Sequence, residues 1–211
     1  MPIVYAGVND GIISNTDNVD WATTRDAASG DSVNTAGPII GSAYGGQGTG
    51  IGTSGNWTVI RAFFQFDVSA ITSPLASATL NVYVGSGTGK TLRLVKMGRN
   101  FSTLAFGNFS EITGLVAGAS MAGNVTDYVD SVHTSTAAYN IITLNAQARA
   151  DILAGNNGNF NVALVGNEFD YLNVDPGVGG DNVGGLVFND FPGTTFDCYL
   201  EYELAASGKA P

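Results

Sequence analysis

The sequence predicts an all-β protein, an antiparallel β-sandwich of jelly-roll type with one short helix. Three observations carry that expectation. Gly (29 residues), Asn, Thr and Ser dominate the polar part of the chain, and charged residues reach only 12%. That is about half the usual share, and a Lys- and Glu-poor, turn-forming composition favours strands over helices. Hydrophobic residues make up 44%, enough for a sizeable core in one domain of 211 residues. Short stretches alternating with period two recur between Gly, Asn, Ser and Pro turns, the layout of two packed antiparallel sheets.

Taken in order, Tyr5–Ala6 and Ile12–Ile13 flank an Asn-Asp-Gly turn and read as brief strands. Gly41–Gly55 is dense in glycine and reads as a loop without regular structure. Residues 59–68 form a central strand with Arg61, Phe63 and Gln65 on one face and Ala62, Phe64 and Phe66 on the other. Residues 78–84 and 91–97 alternate as two further strands. Only Leu144–Gly155 reads as a helix, with an Asn cap, a terminal Gly and Leu144, Ala148 and Ile152 on one face. It lies between the strands 139–143 and 159–165, and late strands follow at 186–188 and 195–204. The shared core is predicted to hold Phe64, Phe66, Leu80, Val82, Leu92, Leu94, Val162, Leu164, Cys198, Leu200 and Tyr202.

Charge narrows the partners. With 8 Lys+Arg against 18 Asp+Glu, the net charge is −10, and phosphate contacts need basic clusters, so no nucleic-acid partner is expected. No apolar run approaches the roughly 18 residues of a membrane helix, so no membrane insertion is expected. The opening Met1-Pro2-Ile3-Val4-Tyr5 lacks the basic and apolar regions of a signal peptide. Cys198 stands alone, which excludes a disulfide scaffold and suits a buried small hydrophobe.

No catalytic constellation emerges, and the chain is read as a non-enzyme. Gly85-Ser86-Gly87-Thr88-Gly89-Lys90-Thr91 resembles a phosphate loop by spelling. However, Val84 stands where the first Gly belongs, and a strand rather than a helix follows. His133 is the sole histidine, in a polar run read as an exposed loop, with no nucleophile elbow beside it. Glu201 and Glu203 fall on the outward face of the last strand. Glu168, Asp170, Asp175 and Asp181 form the only acidic concentration, and loop carboxylates suit a structural calcium ion. That calcium is the one cofactor considered. Trp21, Trp57 and Tyr171 are the candidate glycan-stacking residues.

Phe64-Gln65-Phe66-Asp67-Val68-Ser69 followed by Ala76–Val84 resembles the "RFDLS…ATLxLYV" run of jelly-roll carbohydrate-binding modules of the DNRLRE type. Ile142–Asn145 leading to Ile152–Phe160 is similar to that family's short helix and "NxG" turn, and Cys198–Tyr202 to its closing strand. The likeness spans residues 58–204 and implies a jelly roll with a glycan as a candidate partner. The opening, Asp10–Ser14 through Trp21–Gly30, is similar to the starts of phage-encoded virion proteins.

Together these point to a non-catalytic bacteriophage virion structural protein, a capsid decoration or head/tail fibre component made in the host cytoplasm and carried on the virion surface. The alternative is a carbohydrate-binding module that attaches to surface glycans. Expected partners are sister copies in a homo-oligomer, most simply a trimer, and a phage capsid or fibre protein. Residues 1–56 are expected to serve assembly or attachment, ordered against a neighbouring chain, with the sandwich in 57–204 and a flexible tail in 205–211.

Overall fold

The computed structural model describes residues 1–7, 10–35, 41–42, 45–47, 56–87, 91–129, 132–133, 138–155, 157–177, 184–186 and 197–206. Among these the strands are β1 (Ile3–Tyr5), β2 (Gly11–Asp17), β3 (Ser32–Asn34), β4 (Gly41–Ser42), β5 (Gly45–Gln47), β6 (Trp57–Asp67), β7 (Leu75–Gly87), β8 (Thr91–Lys96), β9 (Val132–His133), β10 (Ala138–Thr143), β11 (Asn159–Gly166), β12 (Gly184–Leu186) and β13 (Tyr199–Leu204). Helix α1 (Trp21–Arg25) is one turn and α2 (Ala146–Ala154) is longer. Every strand pairing is antiparallel.

The two sheets follow from one folded ribbon. Four strand pairs, β1·β13, β6·β11, β7·β10 and β8·β9, join the early half of the chain to the late half. Rolling that ribbon puts β1-β13-β7-β10 in one sheet (sheet I) and β6-β11-β8-β9 in the other (sheet II). This is the jelly-roll order, and the chain is an all-β sandwich of that kind. Strands β2 and β3 extend sheet II beyond β6, and β12 and β4 extend sheet I along the far end of β7.

Between the sheets lies the predicted core. Phe64 and Phe66 from β6, Leu80 and Val82 from β7, Leu92 and Leu94 from β8, Val162 and Leu164 from β11, Cys198 and Leu200 are all buried together. Tyr202 packs against them, partly buried. Helix α2 closes one edge of this core with Ala148 and Ile152. Asn145 caps it by accepting from Ala148 N at 2.9 Å, and Gly155 ends it at φ +49°.

Sheet II has a second core on its other face. Ile13, Val59, Phe63, Val95, Ala163 and Val165 face outward from the sandwich and are covered by Trp21, Phe101, Leu104, Phe109, Ile112, Met121, Val125 and Tyr171. The cover is residues 98–129, an irregular segment with a 3₁₀ turn at Phe106–Ser110, together with α1 and a π-helical turn at Asn167–Tyr171. Isolated bridges Val95↔Asp127 and Met97↔Ile112 fasten it to β8 and the residue beyond. Gly114 is required there: at φ +86°, any Cβ would meet Asn124 O at 2.2 Å.

Among the described N-terminal residues, Ile13 and Arg25 are 0% exposed, and β1 and β2 pair within the chain. Two expectations are corrected. Residues 41–42 and 45–47, read as loop, form short edge strands backed by β12 and β6, and the rest of 41–55 lies outside the described residues. Val132–His133, read as a loop, pairs with β8. The phosphate-loop look-alike spans the end of β7 and the start of β8; its tip, 88–90, lies outside the described residues.

Candidate functional site

The residues singled out from sequence converge on one segment, 167–177, but as structure. Trp21 is 4% and Tyr171 3% exposed, so neither ring offers a free face for stacking on a sugar. Trp21 Nε1 donates to Asn173 Oδ1 at 3.2 Å, and the half-buried Trp57 donates through Nε1 to Asp175 Oδ1 at 3.1 Å. The Tyr171 hydroxyl donates to Asp127 Oδ2 at 2.5 Å, under the Arg93 guanidinium, 4.6 Å from its ring centroid. Two indoles and a phenol thus pin the segment to the sheet II cover.

Of the acidic residues named for an ion, the described ones do not gather around one point. Asp170 is fully buried, and both its oxygens accept from Arg61, Nε at 2.8 Å and Nη2 at 2.8 Å. Arg61 Nη1 donates to Phe109 O at 2.8 Å and its guanidinium lies 4.1 Å over the Phe109 ring. Arg25, also buried, donates from Nε to Asp170 O at 2.8 Å and pairs with Asp26 through Nη1. Burial demands this: unpaired guanidinium groups in an apolar layer would cost several kcal/mol each. Glu168 sits half-buried on the π-helical turn, Asp175 is exposed and also accepts from Gly177 N at 2.8 Å, and Asp181 lies outside the described residues. Among the described residues, no three His, Cys, Asp or Glu side chains gather to hold a metal ion.

Two other features stand open to a partner. The first is the outer face of sheet I, over which, among the described residues, no segment packs as residues 98–129 do over sheet II. Tyr5, Tyr199, Tyr139 and Tyr83, from β1, β13, β10 and β7, form a row of edge-packed rings with centroids 5.9, 5.3 and 5.4 Å apart. Their strand alternation sends the neighbours Leu200 and Val82 into the core, so the rings must point outward. Tyr5 is 40% exposed, and Ile141, in register with Asn81 beside the row, is 70% exposed. Glu201 shares this face. The Tyr139 hydroxyl donates to Asp197 O at 3.1 Å, and burial pushes the phenols of Tyr139 and Tyr199 above their usual range.

The second is a cleft of about 200 Å³ where the end of α2 meets the start of β11. Lys96, Tyr128, Asp151, Asn159 and Asn161 supply its polar lining; Met97 and Phe160 are among its apolar residues. Lys96 Nζ donates to Asp151 Oδ2 at 2.9 Å, the Tyr128 hydroxyl donates to the same oxygen at 2.7 Å, and Gln147 donates to Oδ1 at 3.0 Å. Partial burial works to raise the Asp151 pKa, but the hydrogen bonds from Lys96 and Tyr128 and the Lys96 charge outweigh it, so the carboxyl sits below its ordinary value. Asn161, 4% exposed, donates to Asn100 and leaves its own Oδ1 without a protein partner. A buried amide oxygen in that state costs about 1–3 kcal/mol.

The chain matches no family model and no curated protein. The site is therefore read from its own chemistry.

Sequence reasoning missed both open features. Tyr5, Tyr83, Tyr139 and Tyr199 are far apart in the chain, and only the pairings Tyr5↔Tyr199 and Tyr139↔Tyr83 bring them together. The period-two position of Tyr83 and Tyr199, opposite to core neighbours, was the one available signal.

Proposed function

We propose that this protein is a non-catalytic bacteriophage virion structural protein, a capsid decoration or head/tail fibre component that displays a jelly roll on the particle surface. The tyrosine row on the outer face of sheet I carries the reading. Tyrosines supply large, amphipathic contact area at low entropic cost, and they are enriched at protein interfaces from which Lys is depleted. Of the few basic residues, Arg25 and Arg61 are sealed inside, which leaves the surface weakly cationic and suited to packing beside sister copies or a shell protein. In this reading the face attaches the sandwich to its capsid or fibre partner, and the chain assembles as a homo-oligomer, most simply a trimer.

Co-sedimentation tests it. Particles purified without this chain are mixed with wild-type protein and with a Tyr139→Ser, Tyr199→Ser variant of unchanged circular dichroism. Wild type is expected to pellet with the particles and the variant to remain in the supernatant. Wild type left in the supernatant, or a variant that pellets equally, overturns the proposal.

A further inference from the structure

We propose that β10, an edge of sheet I, pairs with β10 of a second copy of this chain about a two-fold axis through Ile141. The β1-β13-β7-β10 sheets of the two copies then become one continuous sheet. The inference deepens the reading of a self-associating chain. It uses the edge of sheet I where attachment to a particle uses the outer face, so either can fail alone.

The ladder with β7 fixes the direction of the backbone groups on β10. Leu144 N donates to Ala78 O at 2.9 Å, and the register runs back from that pair through Ile142↔Leu80 and Asn140↔Val82 without a bulge. In an antiparallel ladder, every second residue exchanges its N–H and C=O with the partner strand, and the residues between turn theirs to the opposite side. Asn140 and Ile142 therefore bond to β7, while Ile141 and Thr143 aim N–H and C=O away from it. Among the described residues, no strand occupies that side of β10, and no hydrogen-bond acceptor meets the Ile141 or Thr143 amide. Strand β9 is paired to β8 in the other sheet.

This edge also lacks what ordinarily blocks pairing. Edge strands are kept short, charged, bulged or interrupted by proline. The opposite edge of sheet I obeys that rule, since β1 has three residues directly behind Pro2. In sheet II, β3 has three residues and β9 two. Strand β10 has six, Ala138 to Thr143, without a charge or a proline, and Ile141 is 70% exposed. In a chain of net charge −10, such a strip lets two copies meet without like charges facing each other.

The strand is complementary to itself. An antiparallel partner centred on Ile141 sets Ile141 against its own copy and Tyr139 against Thr143, and these are the positions whose backbone groups point outward. Pairing covers each Ile141 with its twin and joins the two tyrosine rows into one stripe. It also closes: the edges left on the joined sheet are two copies of β1, each short and preceded by proline, so no third sandwich adds. One strand pair is a small interface, weak in solution and strengthened where copies are held side by side.

Sedimentation velocity of the full chain up to about 1 mM is expected to show reversible pairing. Ile141→Pro removes the outward N–H and spares the ladder with β7, a place where edge strands accept proline. It is expected to weaken pairing at least about tenfold with unchanged circular dichroism. Ile141→Lys, which keeps the N–H but brings like charges together, is expected to do the same. If the chain also closes into a trimer through other surfaces, these substitutions reduce pairs of trimers to single trimers. Ile141→Cys is expected to cross-link to its copy under oxidised glutathione, because the Cα atoms of such a pair lie about 5.5 Å apart. Ile3→Cys, exposed on β1, is expected to remain uncross-linked. A monomer at every concentration overturns the proposal, as does Ile3→Cys cross-linking as fast as Ile141→Cys. Self-association that neither Ile141→Pro nor Ile141→Lys weakens overturns the β10 contact alone and leaves the oligomer standing.

Discussion

Arg61 and Asp170 meet through two parallel hydrogen bonds of 2.8 Å, both side chains wholly sealed from solvent and 109 positions apart in the chain. This forked pair anchors the π-helical turn onto sheet II and sets the depth at which the covering segment sits. Arg25 lies beside it and donates to the same residue's backbone.

Removing one partner leaves the other charge buried alone. Asp170→Ala is therefore expected to cost about 3–5 kcal/mol, while the combined Arg61→Met, Asp170→Leu chain recovers much of that loss. Urea unfolding of the three proteins checks it, and a single variant losing less than about 1 kcal/mol would sink the claim that the pair is desolvated.

The two cores make a paired prediction. Phe66 faces the space between the sheets and Phe63 the layer beneath the cover, both 0% exposed. Each truncation to Ala is expected to cost about 3–5 kcal/mol. A much smaller loss at Phe63 would mean that the cover packs loosely.

Alkaline pH should unfold the protein through its phenols. Burial, then the hydrogen bond and charge of Asp151, pushes Tyr128 above its ordinary 10.0. Burial and the neighbouring Cys198, Tyr199 and Asp197 do the same to Tyr139. Folded phenols keep their protons where unfolded ones lose them, so this stability is complete below the ordinary value and declines as pH rises through and beyond it. Melting temperatures are expected to fall above about pH 10, and less steeply in Tyr128→Phe. A wild-type curve flat to about pH 12 contradicts this.

Cys198 is fully buried, and burial, with the nearby Asp10 carboxylate adding to it, pushes its thiol well above the usual range. The native thiol is expected to ignore a disulfide reagent at neutral pH and to react at once in denaturant. Rapid native labelling would show that the β13 region opens.

The inter-sheet core was legible because Phe64 and Phe66, Leu80 and Val82, and Leu92 and Leu94 repeat with period two, and the α2 cap is spelled out by Asn145 and Gly155. The alternation also grouped Arg61 with Phe63, but nothing local says what lies over them. Their cover, 98–129, carries Phe101, Leu104, Phe109 and Ile112 at irregular intervals that match neither a strand nor a helix. An arginine in a strand ordinarily marks a solvent face; its neutralising Asp170 is visible only once the chain is folded. Asp170 itself, read as an ion ligand, is held by a guanidinium instead. Of the candidate surfaces, the sequence displayed the residues but not their adjacency, since strand register alone aligns Tyr139 with Tyr83 and Tyr5 with Tyr199.

Unequal covering divides the sandwich into a slow and a fast half. Strands β6 and β11 are hydrogen-bonded to each other and packed on both faces, so their amides exchange with solvent deuterium only when most of the molecule opens. Among the described residues, strands β1, β10 and β13 bury one face alone, and β1 rests on three paired residues. Local opening should begin there and end at β6. The surface that carries the tyrosines is thus the yielding half, free to adjust to what it meets while the Arg61–Asp170 half keeps its shape.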